Sequence, residues 1–257
     1  MHTNSIRHVS TTEVGQLTRK ISVPSPQRGR ASNRLLEALP TSERRRMLAG
    51  CETVELAFAD VLSTPWQHLS HVYFPTRGFI SLIMPIEGPA SLEVGLVGDE
   101  GMFGVPLALG VDVSPLRAVV QGAGSALRMD AARFCGELAR SEPLQRKIRH
   151  YAFVRYTQLA QTAACTRFHV VESRLARWLL MTEDRAHADT FHVTQEFLAL
   201  MLGVRRVGVT KAASSLQKRG LIRYSRGIIT VLDRRGLNAA SCGCYKADRD
   251  SYDRVLA

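Results

Sequence analysis

Between Leu202 and Asp233 the chain reads LGVRRVGVTKAASSLQKRGLIRYSRGIITVLD. Cations recur every few residues, at Arg205, Arg206, Lys211, Lys218, Arg223 and Arg226, with the hydroxyls of Thr210 and Ser214 between them. Such groups neutralise phosphates, and an arginine fork can also donate to O6 and N7 of guanine. The chemistry in view is recognition of a polyanion rather than the making of bonds. The chain holds no G-x-S-x-G, no H-E-x-x-H and no P-loop, so no catalytic residue is expected. The neighbouring acids Asp99 and Glu100 read as a turn between strands.

Five cysteines, Cys51, Cys135, Cys165, Cys242 and Cys244, are an odd number at irregular spacing, which is no disulfide framework. Only Cys242-Gly243-Cys244 invites a metal or redox reading. Two thiols are half a zinc site, so the pair reads as structural or incidental, and neither a metal nor a cofactor is expected. His68, His71 and His150 are lone histidines of the kind found on surfaces and in cores.

The cations need elements to aim them. Val209, Ala212, Ala213 and Leu216 fall at i, i+3, i+4 and i+7, one apolar helical stripe. At about 100° per residue the opposite face carries Val207, Thr210, Lys211, Ser214 and Lys218, with Arg205 and Arg206 in the first turn. Ahead of it, Thr194 caps a shorter helix, Gln195 stands beside the cap, and Gly203 supplies the turn. After Gly220, two β-rich runs flank Ser225-Arg226-Gly227, a hairpin that brings Arg223 and Arg226 forward as a wing. Helix, glycine turn, basic helix and wing in this order predict a winged helix-turn-helix on double-stranded DNA.

The remaining chain divides in turn. Residues 1–32 are rich in Ser, Thr, Arg and Gln and read as a flexible tail without a signal-peptide core. Residues 33–139 open with two short helices, the second capped by Thr41. Short β-rich runs separated by Gly, Pro and Asp follow, as in a jelly-roll-like β-roll. Residues 140–170 lack glycine and predict a helix of roughly 40 Å. Leu144, Ile148, Tyr151, Ala152, Leu159 and Ala163 are its apolar positions and the expected seam of a homodimer. The DNA reader fills residues 171–240, and 241–257 form a C-terminal tail. The fold class is therefore α+β. Lys and Arg number 34 against 23 Asp and Glu, a net charge of +11, which favours a nucleic-acid partner. No run of apolar residues is long enough for a membrane span, so a cytoplasmic protein is expected.

VTQEFLALMLGVRRVGVTKAASSLQKRGLIRYSRGIITVLD resembles the winged helix-turn-helix of the Crp/Fnr superfamily of bacterial transcription regulators. VYFPTRGFISL, VGDEGMFGVPL and ESRLARWLLM are similar to that family's β-roll and the start of its reader. The resemblance implies a cyclic-nucleotide-binding-like sensor, a dimer helix, a pseudo-palindromic operator and RNA polymerase as a further partner. It places the family's reading arginine on Arg206 and a later basic contact on Lys211, but puts Val207 where a glutamate usually follows. It also points to an effector pocket at Gly101, Met102, Phe103 and Gly104 with Arg117 and Ala118. Met102 stands where the family's cyclic-AMP cassette has a ribose-binding glutamate, so no response to cyclic AMP is expected. The alternative is a ligand-binding regulatory module whose main role is not DNA binding. The effector itself is unknown from the sequence.

Overall fold

The computed structural model describes residues 32–87 and 91–256. All but the last residue of the expected N-terminal tail lies outside these. Two short helices come first, α1 (Arg34–Glu37) and α2 (Thr41–Ala49). Asn33 caps α1 by accepting from the Leu36 amide, and its amide group donates to the carbonyls of Pro75 and Gly101. Pro40, not Thr41, occupies the N-cap position of α2, and no side chain caps that helix.

The roll is built on β1 (Glu52–Leu56), β2 (Val61–Ser63), β3 (His71–Pro85), β4 (Ser91–Val97) and β5 (Arg117–Asp130). The sheet order is β1-β5-β3-β4, all antiparallel, with β2 also paired to β5. Strands β3 and β5 run 15 and 14 residues, well beyond the usual strand. Their register shifts three times between Pro75 and Ile80. Gly78 sits there at φ +72°, and a Cβ on it would meet the Gly122 carbonyl oxygen at 2.2 Å. Bulged, glycine-lined pairing lets two long strands bend together. A one-turn helix, α3 (Val105–Ala108), interrupts the path from β4 to β5.

Asp130 caps α4 (Ala131–Arg140) by accepting from the amides of Ala132 and Arg133. Ser141 ends that helix and caps the central helix α5 (Glu142–Phe168), whose 27 residues span about 40 Å. The reader follows: α6 (Val171–Ala186), β6 (Thr190–His192), α7 (Gln195–Leu202), α8 (Arg206–Lys218), β7 (Ile222–Ser225), β8 (Ile228–Val231) and α9 (Arg234–Ala240). Its sheet has three strands in the order β6-β8-β7, one more than the hairpin expected from sequence.

Residues expected to form a C-terminal tail instead make a helix, α10 (Cys244–Leu256). It lies along α5: Leu256 joins the roll's core, Tyr252 donates to the Glu100 carbonyl at 2.8 Å, and Lys147 donates to the Leu256 carbonyl. Apolar residues at Tyr245, Tyr252, Val255 and Leu256 are too sparse among charges to announce that face.

The dimer seam expected from sequence needs correcting. Leu144, Ile148 and Tyr151 are each 1 % exposed and belong to the core of their own roll. Arg155 continues that face by donating to the Leu96 carbonyl at 3.0 Å. An apolar stripe says that a face is buried, not what buries it. The face on the opposite side of α5 carries Phe153, Tyr156, Leu159, Ala160 and Ala163, all exposed in the single chain. Of the predicted seam residues only Leu159 and Ala163 lie on it, with Ala152 half-buried beside it. Among the described residues no helix is long and apolar enough to cross a membrane.

Candidate nucleic-acid interface

The basic helix α8 is fixed by its inner stripe. Val209, Ala212, Ala213 and Leu216 are no more than 5 % exposed and pack with Leu175, Leu179, Leu198 and Ile222. Truncating a leucine so placed costs about 2–5 kcal/mol, so the helix is not free to roll. Its outer face is therefore determinate. Arg205, Arg206, Val207, Thr210, Lys211, Ser214 and Lys218 are all exposed there, as the periodicity predicts.

The turn before α8 is equally constrained. The Thr194 hydroxyl accepts from the Phe197 amide at 3.1 Å and starts α7. Gly203 ends it at φ +61°, a left-handed conformation suited to glycine. A Cβ at Gly203 would lie 2.9 Å from Leu92 of the roll, so the turn also touches β4 closely.

Two contacts that the sequence did not announce set the side chains of this face. Arg206 pairs with Glu196 at 2.9 Å, both exposed. Thr210 donates to the Gln195 side-chain oxygen at 2.7 Å. An exposed pair of this kind is worth little, so it holds the Arg206 guanidinium only weakly. The cue was there in outline: Gln195 and Glu196 open α7, and α8 is bound to cross near them in a helix-turn-helix.

The wing turns through Arg226 at φ +51° and Gly227 at φ +77°, the two positive values of a type I′ hairpin. Arg223 and Arg226 are both exposed. Gln217 of α8 accepts from the Tyr224 amide at 2.7 Å, and Tyr224 donates to the Val193 carbonyl at 3.0 Å, tying wing to helices. Between them His192, Thr194, Gln195, Glu196, Arg206 and Arg226 line an open cleft of about 350 Å³. One surface thus carries a basic helix, a basic hairpin and a groove between them.

Residues 173–240 match the family model described as a Crp-like helix-turn-helix domain. The C-terminal third thus carries a Crp-like helix-turn-helix domain. The architecture of the whole chain agrees in fold with solved structures of Crp/Fnr-type transcription regulators. TTHA1359, a CRP/FNR-family transcriptional regulator from Thermus thermophilus, superposes with a TM-score of 0.55 at 23 % identity, over 74 % of this chain and 98 % of that one. FixK2 from Bradyrhizobium japonicum gives 0.63 at 14 % identity, over 75 % and 98 %. CLP from Xanthomonas campestris, described as a c-di-GMP responsive global regulator, gives 0.62 at 17 % identity, over 75 % and 99 %. At these identities the likeness is one of fold. No curated protein matches the sequence.

The Crp-like reader leans on the roll through β4. Trp178 of α6 donates to Glu93 at 2.8 Å, and Ser81 donates to the other carboxylate oxygen at 2.5 Å. Burial pushes the Glu93 carboxyl up to about 7, against the lowering effect of the Ser81 and Trp178 bonds and of Arg185 and Arg177. Arg185 makes a buried ion pair with Glu100 at 2.8 Å, and His187 meets Asp99 at 3.2 Å. The acids read from sequence as a plain turn are thus the turn that receives the end of α6.

The stretch expected to line an effector pocket is packed. Gly101, Met102, Phe103, Gly104 and Ala118 are buried, and Arg117 is half-buried. Met102 is 1 % exposed in the roll's core. A Cβ at Gly101 would meet the Tyr151 hydroxyl at 2.0 Å. Phe103 exchanges backbone hydrogen bonds with Tyr73, and Gly104 at φ +106° starts α3. These residues fill space rather than line it.

The cysteine pair is also not as expected. Cys242 and Cys244 meet Cys165 and His169, which a helix spacing of four places together at the end of α5. That Cys-x-x-x-His spacing was the signal to pair with Cys-x-Cys. Cys242-Gly243-Cys244 reads alone as half a site because Cys165 and His169 lie far upstream in the sequence.

Proposed function

We propose that the chain is a homodimeric, sequence-specific transcription regulator whose two readers grip a pseudo-palindromic operator. The observation that carries this is the division of α8. Its buried stripe is locked to the reader core, while Arg205, Arg206, Val207, Thr210, Lys211, Ser214 and Lys218 all face out beside Arg223 and Arg226 of the wing. Helix N-terminal residues reading bases and a hairpin on the flanking phosphates is the division of labour this surface fits. Arg206 suits guanine, and Val207 suits a thymine methyl rather than a cytosine amine.

Dimerism is supported by the outer face of α5. Phe153, Tyr156, Ala160, Ala163 and Arg167 alternate by three and four residues, the rhythm of a two-helix seam. Phe153 and Tyr156 are 55 % and 67 % exposed in the single chain. A contact with RNA polymerase rests on the family likeness alone.

Indifference to cyclic AMP is part of the same reading. Met102 offers a ribose no acceptor and is itself core, and Gly101 is crowded by Tyr151. The experiment is selection of bound duplexes from a random pool, repeated with millimolar cyclic AMP. A palindromic motif whose enrichment cyclic AMP leaves unchanged is expected. Recovery of no motif at low salt would overturn the sequence-specific reading, and a motif only with cyclic AMP would overturn the second part.

A further inference from the structure

Four side chains from two segments distant in sequence converge where the central helix ends. Cys165 lies on the last turn of α5, and His169 is its C-cap. Cys242 and Cys244 come from the junction between α9 and α10. The three sulfurs and one ring nitrogen all lie within 4.8 Å of one another. Cys165 Sγ is 3.5 Å from Cys242 Sγ, and Cys244 Sγ is 3.5 Å from His169 Nδ1.

We propose that Cys165, His169, Cys242 and Cys244 form a closed Cys3His site for one borderline-soft divalent ion, with zinc as the type. Thiolates at about 2.3 Å and an imidazole at about 2.0 Å around a tetrahedral ion stand roughly 3.5–3.8 Å from each other. Two of the separations already have that value, and none of the others exceeds 4.8 Å. The ligands surround one point, which suits a single ion rather than a multi-iron cluster. Four protein ligands leave no open position, the mark of a structural ion rather than a catalytic one. On binding, each thiol surrenders its proton to solvent and the imidazole contributes a lone pair, so no oxidant or reductant takes part.

The surroundings match the charge of such a centre. Three thiolates on a divalent ion leave one net negative charge. Arg174 and Arg177 are buried beside the cluster. Arg177 is paired with Asp248 at 2.5 Å, but Arg174 meets no carboxylate among the described residues. The metal centre supplies its counter-charge. Gln161 donates to Cys244 Sγ at 2.9 Å, the kind of outer hydrogen bond that orients a thiolate ligand.

The placement gives the ion a task. Cys165 and His169 belong to the corner between α5 and the reader, whereas Cys242 and Cys244 follow the reader's last helix. One ion would staple both ends of the reader to the central helix. Arg174 carries the connection further, because it donates to the Leu202 carbonyl at the end of α7, next to the Gly203 turn.

The test needs no DNA. The full chain, stripped with chelator under reductant, is titrated with Co²⁺ and then with Zn²⁺. One Co²⁺ per chain is expected, with tetrahedral ligand-field bands and thiolate-to-cobalt charge transfer, displaced by one Zn²⁺. His169→Ala removes an exposed ring and should keep the fold by circular dichroism while losing about tenfold or more in affinity. Cys135→Ser, at an exposed thiol outside the cluster, should change nothing. An octahedral cobalt spectrum would overturn the proposal, as would unaltered affinity in His169→Ala. So would a Cys165–Cys242 disulfide forming in air from a reduced chain that takes up no metal.

Discussion

The indole nitrogen of Trp178 donates to Glu93 at 2.8 Å, and this bond crosses from the DNA reader to the β-roll. Both partners are buried. Leu92 beside Glu93 touches the Gly203 turn, so the same strand meets the reader twice. Strand β4 therefore contacts both α6 and the turn that precedes α8.

Glu93 makes that junction sensitive to pH. Burial raises its carboxyl from 4.5 to about 7, opposed by Ser81, Trp178, Arg185 and Arg177. Between those values the folded chain holds a proton that the unfolded chain releases. Stability contributed by the protonated carboxyl is therefore fully present below about pH 4.5, falls as pH rises toward 7, and is flat above. The slope approaches about 1.4 kcal/mol per pH unit inside the window. Glu93→Gln keeps the acceptor for Trp178 and should flatten this part of the profile. Urea melts of both proteins across the window check it; parallel profiles would refute it.

Arg206 and Arg226 separate two kinds of contact. Arg206→Ala should cost roughly 1–3 kcal/mol on the selected site and relax one base position. Its pairing with exposed Glu196 contributes little to folding, so the melting temperature should barely move. Equal losses on selected and random duplexes would remove Arg206 from base reading.

Arg226 should act on all sequences alike. Because it holds φ +51°, Arg226→Asn is the cleaner change: asparagine tolerates that conformation where alanine is strained. Binding to selected and random DNA should weaken by similar factors, and the salt slope should fall by about one. Binding isotherms at several salt concentrations measure both.

Much of the reader was legible because its signals are local. Thr194, Gly203, Gly220 and Gly227 punctuate it, and the stripe at Val209, Ala212, Ala213 and Leu216 orients its helix. What escaped was the partner of each face. The stripe through Leu144, Ile148 and Tyr151 is as apolar as a dimer seam, but the roll in its own chain covers it. The Cys3His cluster escaped because His169 and Cys242 are 73 positions apart, and only packing of α10 on α5 closes that gap. Met102 was legible as a missing carboxylate, not as a core residue.

The assembly prediction follows from the face that is left. Phe153 and Tyr156 project from α5 on the side away from the roll, and Leu159, Ala160 and Ala163 continue that side with smaller bulk. Small residues let two helix backbones approach, and the aromatic pair at one end supplies area and register. A copy of the same helix is the natural complement, since an isologous contact needs each patch to match itself. Two readers would then face half-sites about one helical turn apart, roughly 34 Å. Charging the outer face tests this without touching the roll. Phe153→Glu with Tyr156→Glu should give a folded monomer that loses specific binding but keeps weak, salt-sensitive binding. Ile148→Glu should instead unfold the roll, because that side chain is 1 % exposed in its own chain's core. Sedimentation at micromolar concentration and footprinting distinguish the outcomes. A wild-type chain that sediments as a monomer and protects one asymmetric half-site would show that the outer face of α5 is not a seam.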